Sequence, residues 1–356
     1  MNKTKVLHIS TPSTWRGGEQ QLAYLAEGAE THQAFVYCPQ NSELKQRIKI
    51  DTKKVFAFKS KSTLGRVNEL KKQLLKNEYQ FLHSHDAKSH TIALMASLLS
   101  GKSTPLVVHR RVDFALKKGR VKTWKYKHDL VSKVISVSKA IDNMVAAVVE
   151  NNKRKVVYSG VNSSLINLNS TFFKQESSDT FNFLSVAALA DHKDIPNLLS
   201  AFKIISDKYN ITKLFIAGDG PNRPQVESLI NDLSLGDDVV LLGYREDIKE
   251  IIASADAFVL ASKTEGLGTS IIDAMFAKLP IAVTNAGGIP ELIQNQHNGL
   301  LCETENAEAL AKNMEAIYLN SEMANKLAIQ AQKDAEKFSH LNMIKEIEDV
   351  YSSLLK

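Results

Sequence analysis

Ala257-Phe-Val-Leu-Ala-Ser-Lys-Thr-Glu-Gly-Leu-Gly-Thr-Ser-Ile-Ile-Asp-Ala274 is the stretch on which the fold turns. Its four leading apolar residues, Ala257 to Leu260, are too few for a helix and read as a buried strand. A glycine-containing loop follows, then a helix over Ser270 to Ala277. A strand that turns directly into a helix is the first half of a βαβ unit, from which parallel sheets are built. The same alternation repeats outward. Phe181 to Val186, Leu214 to Ala217, Val239 to Leu242 and Ile281 to Val283 read as strands, with helices over Ile195 to Tyr209 and Gln225 to Leu233. An independent series runs before residue 160, with strands at Val6 to Ile9, Ala34 to Tyr37, Phe81 to His83, Leu106 to Val108 and Val134 to Val137. Helices fit over Glu19 to Ala29, Leu64 to Leu75 and Ile92 to Leu99. Between the two series, Asn167 to Thr180 is rich in Asn, Ser and Thr and carries no periodicity. The expectation is an α/β protein of two Rossmann-like, doubly wound parallel-sheet domains, residues 1–162 and 181–337, joined by a linker or loop over 163–180. Ligands bind at the carboxyl ends of such strands, and the cleft between two such domains is the natural site.

The composition narrows the function classes. Apolar residues at 44% and charged residues at 24% are globular values and exclude a disordered or collagen-like chain. No apolar run approaches the roughly 20 residues of a membrane-spanning helix. Met1 to His8 shows neither the apolar core nor the cleavage site of a signal peptide, and Cys38 and Cys302 lie far apart, so a reducing cytoplasm is expected. The net charge of +6 hides an asymmetry. Residues 1–165 hold 29 Lys and Arg against 12 Asp and Glu, a net of +17, and the remainder carries −11. The basic half calls for an anionic partner.

Returning to the opening stretch, the backbone N–H groups of Gly268, Thr269 and Ser270 stand at a helix N-terminus, with Gly266 and Leu267 in the same loop. This is a ready anion site. Glu265 precedes it and Asp273 lies one turn into the helix, where carboxylates accept hydrogen bonds from sugar hydroxyls. Amides for a diphosphate and carboxylates for two sugars suit a nucleotide-sugar; the plain alternative is a carboxylate favouring the helix dipole. The segment resembles the E-x7-E signature of glycosyltransferase family 4, retaining enzymes of the GT-B fold. Ile216-Ala-Gly-Asp-Gly-Pro221 resembles the family's glycine turn, and Leu242-Gly-Tyr-Arg245 its nucleotide-base loop, which points to Tyr244. Asn285-Ala-Gly-Gly-Ile-Pro-Glu291 and Asn298-Gly-Leu-Leu301 resemble the segments that follow. The resemblance implies that Glu265 contacts the transferred sugar and Asp273 holds the ribose hydroxyls. Two departures stand out. The second acid is Asp, one methylene shorter than Glu. Of the family's Arg and Lys that clamp the diphosphate, the Lys matches as Lys193, but the Arg position is Ala188.

In the first half, Trp15-Arg-Gly-Gly-Glu-Gln20 resembles the family's glycine-pair loop, so Gly17 and Gly18 are expected beside the donor. Leu82-His-Ser-His-Asp86 ends a strand; the resemblance implies a His that reaches the transferred sugar, His85 by position, with His83 left open. In Val108-His-Arg-Arg-Val-Asp113, Arg110 and Arg111 are placed to take an acceptor's phosphate or carboxylate, or else form a solvated basic loop. Lys117 to Lys127 interleaves six cations with Trp124 and Tyr126, which suits an anionic membrane surface; a solvated helix face is the plain reading. No Asp-x-Asp motif, zinc-spaced Cys/His cluster or P-loop is present, so no metal or cofactor is expected. The partners expected are a UDP- or GDP-type nucleotide-sugar donor and a saccharide or lipid-linked acceptor, with no nucleic acid. The reading is a retaining, metal-independent hexosyltransferase of bacterial envelope polysaccharide or glycolipid synthesis, cytoplasmic or peripheral on the inner face of the membrane. Its alternatives are a catalytically silent nucleotide-sugar-binding subunit on the same fold, which Ala188 favours, and a nucleotide-sugar epimerase. The amphipathic end, Ile344 to Leu355, is expected to cross back onto the first domain within 338–356.

Overall fold

Val6 pairs with Phe81 and His8 with His83, so two strands remote in sequence lie side by side at the centre of a parallel sheet. The structure is a computed structural model that describes residues 3–111, 120–173 and 180–355, with backbone alone for 120–122. Lys117 and Lys118, and residues 174–179 of the expected linker, lie outside the described residues. The chain divides into two compact units, Met1–Gly160 with His340–Lys356, and Val161–Ser339.

The first unit is a seven-stranded sheet of β1 (Thr4–Ile9), β2 (His32–Pro39), β3 (Val55–Phe58), β4 (Phe81–Ser84), β5 (Leu106–Arg110), β6 (Val131–Ser136) and β7 (Arg154–Val156), in the order β3-β2-β1-β4-β5-β6-β7. Every pairing is parallel. Both faces are buried, which is why these strands are apolar runs and not alternating ones. Leu7, Leu82, Val108 and Val134 face one layer, with Val67 and Leu70 of α3 (Thr63–Lys76), Ile92 of α4 (Ala87–Ser100), Tyr126 of α5 (Arg120–Lys127) and Val145 of α6 (Lys139–Ala146). Val6, Phe81, Val107 and Ile135 face the other, with Leu25 of α1 (Gly17–Glu27) and Ile347 and Tyr351 of α13 (His340–Leu354). Each fully buried side chain of this size contributes about 1.5–3 kcal/mol. Asp86 caps α4, its carboxylate accepting from the N–H groups of Lys88 and Ser89. The same carboxylate accepts from Thr11 N at 2.8 Å and Thr11 Oγ1 at 2.7 Å, so it also ties the loop after β1 to the loop after β4.

The second unit repeats the plan with β8 (Phe181–Val186), β9 (Thr212–Ala217), β10 (Val239–Gly243), β11 (Ala257–Leu260), β12 (Ile281–Thr284) and β13 (Leu300–Cys302), in the order β10-β9-β8-β11-β12-β13, all parallel. Its helices include α7 (Ile195–Ser206), α8 (Arg223–Asp232), α9 (Ile248–Ser254), α10 (Thr269–Phe276), α11 (Ala307–Leu319) and α12 (Ser321–Ala335). Three differences from the sequence reading have physical causes. The sheet-edge strands β3, β7 and β13 are only three or four residues long, too short to show a period. Helix α1 starts at Gly17, not Glu19, so the glycine pair forms its first turn. The stretch expected to link the domains belongs, where described, to the second unit, because Phe173 is buried and packs 4.4 Å, centroid to centroid, from Phe215.

Candidate functional site

The strand order of each sheet reverses at one place, between β1 and β4 in the first and between β8 and β11 in the second. Loops leaving such a pair diverge and open a crevice at the strands' carboxyl ends. Gly17 and Gly18 follow β1 and His85 follows β4; Lys193 follows β8 and Glu265 follows β11. Each unit therefore carries these residues at its own switch point, whereas Tyr244 follows the edge strand β10 and Arg110 and Arg111 lie at the end of β5.

In the second unit, Glu265 and Lys193 come together as an ion pair, both side chains largely buried. Ser262 Oγ donates to Glu265 Oε2 at 3.3 Å. Lys193 closes the turn Asp191–Lys193, and Asp194 behind it takes a left-handed φ of 48° to enter α7. Gly268, with φ 93°, stands at the start of α10 without a side-chain cap, so the helix's first amides have no side-chain acceptor there. The glycines of the following segment explain themselves here. A Cβ on Gly287 would sit 2.1 Å from the Glu265 carbonyl oxygen, and one on Gly288 2.4 Å from that of Gly266. Gly288 N–H donates to the Glu265 carbonyl at 2.9 Å. The segment from Asn285 to Glu291 is thus the cradle that fixes the Glu265 loop. Asp273, on α10, has its Oδ1 shut from water without a hydrogen-bond partner. Burial pushes its carboxyl up to about 6, with Lys249 of α9 pulling the other way. Lys249 escaped the sequence reading because nothing local marks a lysine on a neighbouring helix. Tyr244, past β10, is 53% exposed. Ala188 is exposed and brings no cation. His192, next to Lys193, uses its carbonyl to accept from Lys263 N–H at 2.9 Å.

In the first unit the switch point is a chain of imidazoles. Arg111 Nη2 donates to His85 Nδ1 at 3.1 Å and to His109 Nδ1 at 3.3 Å. A guanidinium can only donate, so both Nδ1 atoms accept and the proton of His85 sits on Nε2. That Nε2 lies 3.1 Å from His8 Nδ1 and donates to it. Both ring nitrogens of His85 are therefore engaged within the protein. His83, the other candidate, lies behind it, its Nδ1 2.6 Å from the Tyr351 hydroxyl of α13. Burial is the largest influence on His8, His83, His85 and His109 and pushes all four well below the ordinary imidazole value, so the chain is neutral. Burial likewise lowers Arg111 to about 10, with Glu19 opposing. Arg111 packs beside the glycine pair, its Cδ 3.5 Å from where a Cβ on Gly18 would be. Arg110 points elsewhere: it ends β5, is buried, and donates to the Tyr126 hydroxyl at 3.2 Å. Among the described residues, His8, His83 and His85 offer ligand atoms within 4.8 Å of one another, near enough for a metal. With Arg111 donating to its Nδ1, His85 would offer such an ion only Nε2, in place of the proton shared with His8.

Residues 15–165 match the family model described as Glycosyltransferase Family 4, and residues 168–334 the model described as Glycosyl transferases group 1. The putative glycosyltransferase EpsD of Bacillus subtilis is 30% identical over 50% of this chain and 46% of its own length. The amylovoran biosynthesis glycosyltransferase AmsK of Erwinia amylovora is 34% identical over 36% of this chain and 33% of its own. The matched part thus spans less than half of either relative. Among solved structures, Anabaena Alr3699/HepE in complex with UDP and glucose superposes with a TM-score of 0.86 at 21% identity, covering 98% of this chain and 100% of that one. Two family models that between them run through most of the chain, on two parallel sheets with this architecture, make the protein a member of the family 4 glycosyltransferases, built on the GT-B fold.

Proposed function

We propose that the protein is a retaining glycosyltransferase that moves a sugar from a UDP-type donor to an acceptor hydroxyl. The observation that carries the reading is the Lys193–Glu265 pair beside the uncapped start of α10. A cation and a row of amides meet the diphosphate, and a carboxylate held by the Gly287-Gly288 cradle meets the sugar hydroxyls. Without ligand, lysine and glutamate neutralise one another; donor binding separates them, each to its own partner. Charge then develops on the departing diphosphate and is met by groups already in place. The bond from the anomeric carbon to the diphosphate breaks, the acceptor oxygen bonds to the same face, and the acceptor proton passes to a diphosphate oxygen. Asp273 receives the ribose hydroxyls. Within the first unit His85 positions Arg111, since its own nitrogens are taken. HepE, which shares the fold, has been seen with UDP and glucose, and AmsK serves amylovoran biosynthesis. These support a UDP-sugar donor and an acceptor in bacterial surface polysaccharide or glycolipid synthesis, met on the basic first unit.

Turnover with UDP-sugars, read as UDP release that depends on an added acceptor, tests this. Glu265→Gln should lower kcat by about 10²-fold or more while the protein stays folded. Wild-type turnover in that variant would remove Glu265 from the site. Donor binding without turnover for any acceptor would favour the silent binding subunit, the reading that Ala188 supports.

A further inference from the structure

Two loops bring Lys193 and Glu265 together: the turn Asp191–Lys193 after β8 and the loop after β11. Their ion pair is one link between those loops, and it is the link that donor binding opens. A second link lies beside it. Lys263, two residues before Glu265, sets its Nζ 3.5 Å from Oδ1 of Asp194, the residue that follows Lys193. The Lys263 main chain joins the same two loops, its N–H donating to the His192 carbonyl at 2.9 Å. Residues 192 and 194 are therefore both tied to Lys263, one on each side of Lys193. Glu305, past β13, completes the arrangement by accepting from Lys263 Nζ at 2.9 Å.

Asp194 has one ionic partner. It holds a left-handed φ of 48°, and it does not cap α7 with its side chain although it stands at that helix's start. It is only 6% exposed, and burial pushes its carboxyl up while Lys263 draws it back. Among the described residues no cation other than Lys263 lies within ion-pair distance of it. A carboxylate shut from water beside a single cation holds that cation in place, because parting them leaves a buried charge unpaired.

We propose that Lys263 is a positioning residue for the transfer reaction. Through Asp194 and His192 it keeps the Lys193 turn and the Glu265 loop in register once the donor has parted Lys193 from Glu265. This rests on the reading of Glu265 as the carboxylate that meets the sugar. In the free protein the two links are redundant; in the donor complex only the second remains. The groups that meet the diphosphate and the sugar then stay in place as charge develops. The Lys263 ammonium is itself taken by Asp194 and Glu305, so it acts through the loops and not on the donor.

Kinetics and calorimetry on the full chain test this. The donor is whichever of UDP-glucose, UDP-galactose and UDP-N-acetylglucosamine the wild type turns over fastest, and UDP is the sugar-free probe. Lys263→Met should leave the melting temperature of the free protein within about 2 °C, because the Lys193–Glu265 pair still joins the loops. UDP should bind as to the wild type, whereas the UDP-sugar should bind about tenfold more weakly and kcat should fall about tenfold. Lys263→Arg should restore both. Asp194→Asn, a change the left-handed backbone tolerates, should reproduce the loss. In a Glu265→Gln background Lys263→Met should add little further loss, since the loop it holds no longer carries the carboxylate. Wild-type kcat and donor affinity in Lys263→Met overturn the proposal. So does an undiminished loss in the Glu265→Gln background, which would give Lys263 a contact of its own. A large fall in the melting temperature of free Lys263→Met overturns it too and makes the link a purely structural one. Loss in Glu265→Gln with none in Lys263→Met would remove the positioning role and leave the site; loss in neither would remove both.

Discussion

The first unit buries the imidazoles of His8, His32, His83, His85, His90 and His109, whereas the second withdraws from water the carboxyls of Asp194 and Asp273. The sheets are alike; the chemistry enclosed beneath their strand ends is opposite. Burial disfavours the charged form in both units, but it lowers an imidazole and raises a carboxyl. The first unit can therefore hold a network of neutral donors and acceptors around one cation, Arg111. The second keeps carboxylates near lysines, which suits groups that must change partners when a ligand arrives.

Acid should separate the two most strongly. A histidine whose folded value is depressed supplies stability that is present above the ordinary imidazole value of about 6.5 and lost as pH falls below it. Each such group withdraws about 1.4 kcal/mol per pH unit, and burial holds His90 down to about 3. Asp273 behaves oppositely: its folded value is raised to about 6, so its contribution is full below the ordinary carboxyl value and lost as pH rises through about 6. Hydrogen exchange at about pH 5 should show the first unit opening well before the second. Simultaneous opening would break the comparison.

The pin between β4 and the last helix comes next. Tyr351→Phe removes the partner of a buried His83 nitrogen and should cost the first unit about 1–3 kcal/mol, leaving exchange in the second unchanged. Asp273→Asn sharpens the same contrast from the other side. It removes a buried charge whose Oδ1 has no partner, so at pH 7 the second unit should gain about 1–2 kcal/mol and lose its dependence on pH near 6. Donor affinity, read by calorimetry, should fall in the same variant, because an amide cannot replace both oxygens for the ribose hydroxyls. The smallest effect is local. Lys278, exposed just past α10, holds a φ of 59°, and its successor's N–H donates to the Ala274 carbonyl at 3.1 Å. Lys278→Gly should raise the second unit's stability by up to about 1 kcal/mol with no change in donor affinity.

The long central strands were legible in sequence because a strand buried on both faces is an unbroken apolar run, as in Phe181–Val186 and Ala257–Leu260. The edge strands were not, since three or four residues with one neighbour carry no such signal. The donor segment was legible as a local pattern of strand, glycine loop and helix. Its supports were not: the Gly287-Gly288 cradle and Lys249 act on Glu265 and Asp273 from other elements. His85 was singled out, but its partners come from two other strands, His8 from β1 and His109 and Arg111 from the end of β5, and the role each ring nitrogen plays depends on all of them.

Residue order alone determined the βαβ alternation, the charge asymmetry and the glycine, acid and lysine positions that mark the family, because those are properties of neighbours along the chain. Only the tertiary structure decided that Lys193 meets Glu265, that β1 and β4 bring His8 beside His83, and that Lys263 stands beside Asp194. Burial and strand register couple residues that sequence leaves far apart, and those couplings set which groups stay neutral, which are paired and which face water.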